Sequence, residues 1–159
     1  MNEVEFTSRV KRCSRKLYCV AYSILWNDAD CLDAVQEAVA RVWMRLGRLQ
    51  NEAYFETYLV RTLINRCKSM RRPKRFITVG LSRELEKMQG DLSSDLDLRE
   101  ALKRLPEKYR LPLILHYQDG YSLRETAQML GISEKLVKSR LHQARGNLKQ
   151  LLGGDQNEA

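Results

Sequence analysis

The chain has 159 residues, enough for one medium domain or two small ones. Hydrophobic residues make up 43% and charged residues 30%, a balance that excludes wholesale disorder. Lysine and arginine outnumber aspartate and glutamate by 28 to 20, and the formal charge of +8 favours a polyanionic partner, nucleic acid before acidic membrane.

No membrane span is expected. The longest largely apolar stretch, residues 17–26, is broken by Ser23 and is short of the roughly 20 residues a spanning helix needs. The first dozen residues mix Glu3, Glu5, Arg9 and Lys11 with no apolar signal core, so a cytoplasmic protein is expected. Cys13, Cys19, Cys31 and Cys67 include no CxxC pair, which argues against a zinc site, and the expected compartment argues against disulfides. His116 and His142 lie far in sequence from cysteines and carboxylate clusters. No metal, no cofactor and no enzymatic activity are expected.

In chain order, the first 46 residues contain neither glycine nor proline and are good helix material. One helix is expected over 4–25, with Asn27 and Asp28 supplying turn and capping chemistry. A second covers 29–46, where Leu32, Val35, Val39, Val42 and Leu46 step by three and four along one face, and Gly47 ends it. A third begins near Glu52, buries a stripe of Phe55, Leu59, Leu63, Cys67 and Met70, and stops at Pro73.

The charge then changes sign. Residues 1–75 carry 15 basic and 8 acidic side chains, residues 76–101 carry 3 and 6, and residues 102–159 carry 10 and 6. The middle segment also holds Gly80, Gly90, Ser93 and Ser94, so residues 76–96 read as a linker between two small helical domains, with a short helix around 82–88. Beyond it, Asp97 and Glu100 form a capping-box pattern for a helix through Arg104, and Pro106 suits the first turn of a helix to about Gln118. Asp119-Gly120 is a turn. Ser122 with Glu125 opens a helix over 123–130, Gly131-Ile132-Ser133 makes a tight turn, and a long helix runs to about Leu152. No β pattern occurs, so the class is all-α: residues 1–75, a linker, residues 97–152, and a disordered tail over 153–159.

Three patterns carry chemistry. Residues 122–145 have the form of a helix-turn-helix. The last helix has an apolar stripe of Val137, Leu141, Ala144, Leu148 and Leu151. A polar stripe of Lys135, Lys138, His142, Arg145 and Lys149 lies about a third of a turn away, with Ser139 and Gln143 between and Arg140 near its end. A solvated amphipathic helix would look similar; the turn spacing and the cap favour DNA contact. The second pattern is an acid-free run, Arg61, Arg66, Lys68, Arg71, Arg72, Lys74 and Arg75, preceded by Tyr54, Phe55 and Tyr58. Rings that stack on unpaired bases beside cations that follow the backbone are what single-stranded DNA requires. Phe55 is assigned to the core by its spacing. The third is the polar face of the second helix, Asp33, Gln36, Glu37 and Arg41, which fits a solvated face or a protein-binding one.

These residues resemble a known family. Asp28-Ala-Asp, then Asp33-Ala-Val-Gln-Glu37, then Val42-Trp43, then Phe55-Glu-Thr-Tyr-Leu59-Val-Arg61 and Asn65 are similar to region 2 of bacterial extracytoplasmic-function (ECF) sigma factors. Leu102-Lys-Arg-Leu-Pro-Glu-Lys-Tyr-Arg110, Asp119-Gly-Tyr-Ser122, Gly131-Ile-Ser133 and Val137-Lys-Ser-Arg-Leu-His-Gln-Ala-Arg145 resemble region 4. Tyr58 stands where the family commonly has Trp, Ser69 where Asp or Asn is frequent, and His116 where Arg is frequent.

The resemblance implies a factor that directs core RNA polymerase to promoters and promotes strand opening. Asp33, Gln36, Glu37 and Arg41 would dock on the clamp helices of the β′ subunit. Tyr54, Tyr58, Arg61, Asn65, Lys68, Arg71 and Arg72 would hold the −10 element as single strand, with specificity also carried by the loop over 47–53. Lys135, Lys138, Ser139, Arg140, His142, Gln143, Arg145 and Lys149 would meet the −35 duplex. Many relatives are held inactive by an anti-sigma factor, which makes one a candidate partner. A free-standing helix-turn-helix regulator is the rival reading; it leaves the aromatic-basic helix and the face of the second helix unexplained. A nuclease would need a metal-binding carboxylate or histidine cluster.

Overall fold

The computed structural model describes residues 1–71 and 96–153, and every regular element among them is helical. Arg72, Pro73, the expected linker up to residue 95, the short helix around 82–88 and the tail from residue 154 lie outside the described residues.

Helix α1 spans Glu3–Leu25, and α2 spans Asp28–Met44. The Asn2 side chain accepts from the Glu5 N–H at 2.8 Å, and Asn27 caps α2 by accepting from Asp30 N–H at 2.9 Å. Between them Trp26 takes a left-handed backbone, φ 55°, unusual for a bulky residue. Its ring is held by Tyr22, 5.2 Å between centroids, and by the Arg110 guanidinium at 5.0 Å. Helix α2 stops at Met44, ahead of Gly47, and runs into a tight turn at Leu46–Arg48. A second such turn at Glu52–Tyr54 leads into α3, Phe55–Met70.

The second half contains α4 (Leu96–Arg104), α5 (Glu107–Leu113, widening into a π turn at Ile114–Gln118), α6 (Leu123–Leu130) and α7 (Glu134–Gly153). Pro106 sits one residue outside α5, as its cap. Asp97, expected at the cap, falls inside α4, which already includes Leu96. The capping box at Ser122 forms in full: Glu125 N–H donates to Ser122 Oγ and Ser122 N–H to Glu125 Oε1, both at 3.0 Å. Gly131, φ 69°, closes α6 in the left-handed region that a side chain would strain. Ser133 Oγ accepts from Leu136 N–H at 3.1 Å and opens α7.

Two apolar clusters organise the chain. A small one joins Leu105, Leu113, Ala127, Val137, Leu141 and Ala144 and holds α4–α7 together. The large one is built by α1, α2 and α3 and extends to residues of α5, its π turn and α6. The expected stripe of α3 is buried at Phe55, Leu59, Leu63 and Cys67; Val60 and Ile64 are buried too, because α6 packs on a second side of this helix. On α2 the buried line is Cys31, Ala34, Ala38 and Val42, small residues that let the helices approach closely. Val35 and Val39 only flank it, and Leu32 is 46% exposed. On α7 the apolar stripe is buried through Ala144; Leu148 is half-buried and Leu151 is 38% exposed, because the helix outruns its neighbours.

Candidate nucleic-acid interface

Three surfaces carry the residues singled out by the sequence. On α2, Asp33, Gln36, Glu37 and Arg41 are all exposed on one side of the helix, with Leu32 exposed beside them. Glu37 is ion-paired with Arg66 of α3, and Arg66 also donates to Ser69 Oγ at 3.2 Å. The face mixes acid, amide and one exposed leucine, which suits a protein surface better than a phosphate backbone.

The second surface lies where the turns after α2 meet α3. Arg45, Arg48, Leu49, Gln50, Asn51, Tyr54 and Tyr58 line an open pocket of about 350 Å³. Asn51 caps the turn that aims Tyr54, accepting from Ala53 N–H at 3.0 Å. Behind it, Arg9 reaches from α1 to the Glu52 carbonyl at 3.0 Å and to its carboxylate at 3.3 Å, tying the loop to the helical unit. The lining thus brings two tyrosine rings and two guanidinium groups to one cavity. Arg61, Asn65 and Lys68 continue along the exposed side of α3. Arg61 lies against the helix-turn-helix: a β-carbon at Gly131 would stand 3.6 Å from its guanidinium. Arg71 is paired with Glu107 at 2.7 Å. Sequence reasoning placed Tyr54 and Tyr58 here but missed Arg45 and Arg48 as partners; the one signal available was a basic pair flanking Gly47.

The third surface is α7. Lys135, Lys138, Ser139, His142, Gln143, Arg145 and Lys149 are exposed, whereas Arg140 is half-buried and turned from the stripe. The Arg145 guanidinium donates to Tyr117 Oη and lies 5.7 Å from that ring, so an exposed tyrosine of the π turn orients it. Gln143 donates to Asn147 at 3.1 Å. Leu136, 38% exposed, sits at the edge of the polar stripe and was not singled out by charge or amide chemistry.

All four cysteines are buried and none is in a disulfide; desolvation pushes the Cys13 thiol up to about 11 and the Cys67 thiol to about 12, and raises Cys31 further, so these three are not ready nucleophiles. Among the described residues no group of three or more histidines, cysteines or carboxylates is placed to hold a metal, and no helix is long and apolar enough to cross a membrane.

The chain thus joins a three-helix half with a tyrosine- and arginine-lined pocket to a half that carries a capped helix-turn-helix, the architecture of a helical transcription factor. Residues 9–76 match the family description "Sigma-70 region 2" and residues 95–148 match "Sigma-70, region 4". The ECF RNA polymerase sigma factor SigM of Mycobacterium tuberculosis is 30% identical over 151 residues, spanning 93% of this chain and 77% of that one. The RNA polymerase sigma factor SigV of Bacillus subtilis is 29% identical over 130 residues, 80% of this chain and 78% of that one. Among solved structures, CnrH in complex with the cytosolic domain of CnrY superposes with a TM-score of 0.75 at 27% identity, covering 97% of this chain and 91% of that one. RpoE of Bartonella quintana, in complex with the anti-sigma factor NepR, has the same fold, with a TM-score of 0.72 at 24% identity over 93% of this chain and 96% of that one.

The chain belongs to the sigma-70 family, within it to the ECF sigma factors, and it directs RNA polymerase to promoters. The family is one of initiation factors, not of enzymes. A free-standing helix-turn-helix regulator would account only for residues 95–148 and is set aside by the match over 9–76.

Proposed function

We propose a division of labour along the chain, with region 2 over residues 1–75, a linker over 76–96 and region 4 over 97–152. The α2 face of Asp33, Gln36, Glu37 and Arg41, with Leu32 as its apolar centre, docks on the β′ clamp helices of core polymerase. The tyrosine pocket takes an unstacked base of the −10 element. Arg61, Asn65, Lys68, Arg71 and Arg72 follow the strand, so opening is driven by capture of bases that have left the duplex. Helix α7 enters the −35 major groove with Lys138, Ser139, His142 and Gln143 nearest base edges. Lys135, Arg145 and Lys149 serve phosphates. Leu136, exposed beside the stripe, meets a thymine methyl.

The observation that carries this reading is the pocket. Tyr54, Tyr58, Arg45 and Arg48 around about 350 Å³ suit a flipped base and its phosphates, and a duplex reader has no use for such a cavity. The protein works where polymerase and chromosome are, in the bacterial cytoplasm, and an anti-sigma factor is a further partner of this class. Run-off transcription with purified core polymerase on a pool of genomic fragments tests the assignment. Discrete start sites sharing two spaced motifs are expected; initiation without any shared −10 motif would refute the pocket's role.

A further inference from the structure

We propose that Tyr117, which lies outside the helix-turn-helix, is a positioning residue of the −35 surface: it holds the Arg145 guanidinium in place for one backbone phosphate. The proposal rests on the reading above in which α7 meets the −35 duplex. Tyr117 is 53% exposed, although Leu113, Ile114 and Leu115 just before it are buried. A ring so placed adds little to the core. Its contacts run instead to His116 beside it and to Arg145 across from it.

The turn that carries Tyr117 is pinned from behind. Asp119 N–H reaches the Ile114 carbonyl, five residues back, at 2.9 Å, which closes the π turn. His116 Nδ1 donates to the Tyr121 carbonyl at 2.7 Å; a carbonyl only accepts, so this nitrogen carries the proton. The His116 ring then meets the Tyr117 ring steeply tilted, 5.0 Å between centroids and 64° between planes. On its other side Tyr117 reaches α7, which packs on α5. Its Oη accepts from Arg145 Nη1, and the guanidinium carbon lies 5.7 Å from the ring centre. Hydroxyl and ring thus grip the same group, 28 residues further along the chain.

This grip suits a phosphate contact. A guanidinium has five N–H donors in a planar fork; Tyr117 takes one, and the others are left for the oxygens of a phosphate. Bases are read chiefly by the N-terminal part of a recognition helix. Arg145 lies about three turns into α7, which begins at Glu134, so the backbone is what it meets. A long side chain free in solvent surrenders rotamer freedom when it binds, and one already held has surrendered it beforehand. Holding one such side chain is worth about two- to tenfold in affinity. Tyr117 therefore acts through Arg145, and its effect is the same at every −35 sequence.

A double-mutant cycle in the holoenzyme tests the proposal. Wild type, Tyr117→Phe, Arg145→Ala and the double variant are assembled with core polymerase. Each is titrated with promoter fragments that carry single −35 substitutions, at several salt concentrations. Tyr117→Phe, which keeps the ring and removes the acceptor, is expected to weaken all fragments in parallel by about two- to tenfold. Arg145→Ala is expected to weaken them in parallel and to lower the salt slope by about one unit. In the Arg145→Ala background Tyr117→Phe is expected to cost nothing more. The melting temperature and core polymerase affinity of Tyr117→Phe are expected to match wild type. Equal losses from Tyr117→Phe with and without Arg145 overturn the proposal, since a structural role does not depend on that arginine. A loss confined to one −35 base pair overturns it as well. If Tyr117→Phe binds like wild type while Arg145→Ala and Lys149→Ala are weakened, the role of Tyr117 falls and the reading of α7 stands. If Arg145→Ala, Lys149→Ala and His142→Ala all bind like wild type, the reading of α7 falls and takes this proposal with it.

Discussion

Glu37 on α2 is ion-paired with Arg66 on α3, so one salt bridge ties the face proposed for polymerase docking to the helix proposed for the −10 strand. Both side chains are partly exposed, 48% and 32%, and pairs of this kind contribute about 0–1 kcal/mol. The pair thus bears on orientation more than on stability: it sets where the Glu37 carboxylate points.

That separates two variants. Glu37→Lys is expected to lower core polymerase affinity clearly while moving stability by no more than about 1 kcal/mol. The double exchange Glu37→Arg/Arg66→Glu is expected to restore the ion pair without restoring docking. Binding measured by fluorescence anisotropy, with thermal melts alongside, checks both. Full recovery of docking in the exchange would mean that the pair, and not the carboxylate on that face, is what polymerase needs.

Tyr58→Ala is expected to impair strand opening more than closed-complex formation, because stacking worth about 1–3 kcal/mol per base is available only to unpaired bases. Arg45→Ala and Arg48→Ala share the pocket and are expected to show the same defect more weakly. Permanganate reactivity of −10 thymines reads opening directly. A template with a pre-melted bubble is expected to rescue all three in part, and absence of rescue would remove the pocket from strand capture.

Along α7, His142→Ala and Lys149→Ala are expected to fail differently. The first relaxes preference at one −35 base pair, at a cost of about 1–3 kcal/mol. The second weakens all sequences in parallel and lowers the salt slope by about one unit. Holoenzyme binding to a library of −35 variants at several salt concentrations distinguishes them; a uniform loss in His142→Ala would make His142 a backbone contact.

Asp119, buried in the turn before α6, has a carboxylate oxygen without a hydrogen-bond partner. Desolvation raises its pKa from 3.8 to about 7, with Lys16 opposing and Glu56 reinforcing the shift. The folded state therefore holds a proton that the unfolded state has released, and the contribution of Asp119 to stability falls as pH rises from about 4 to about 7 and then levels off. Asp119→Asn is expected to flatten this part of the stability curve, so its melting temperature gains on the wild type as pH rises. Parallel melting curves for the two proteins across the window would show that the proton is not taken up at Asp119.

Much of this protein was legible in the sequence because the relevant forces act over a few residues. Helix period, the Asn27 cap, the Ser122–Glu125 box and the left-handed Gly131 are decided within one or two turns of chain, and each occurs where the residues predict it. So does the exposed cationic stripe of α7, since the burial of Val137, Leu141 and Ala144 leaves it facing outward. What the tertiary structure decided is which faces meet. Leu32 shares a period with the valines of α2 yet stays outside, because the contact line is made by the smaller Cys31, Ala34 and Ala38. Ile64 and Val60 are buried because a helix some 60 residues later covers them. Tyr121 finds Glu56 across 65 residues of chain. No local pattern encodes such a pairing: it follows from the apolar area summed over all the helices, which is fixed only when they pack together.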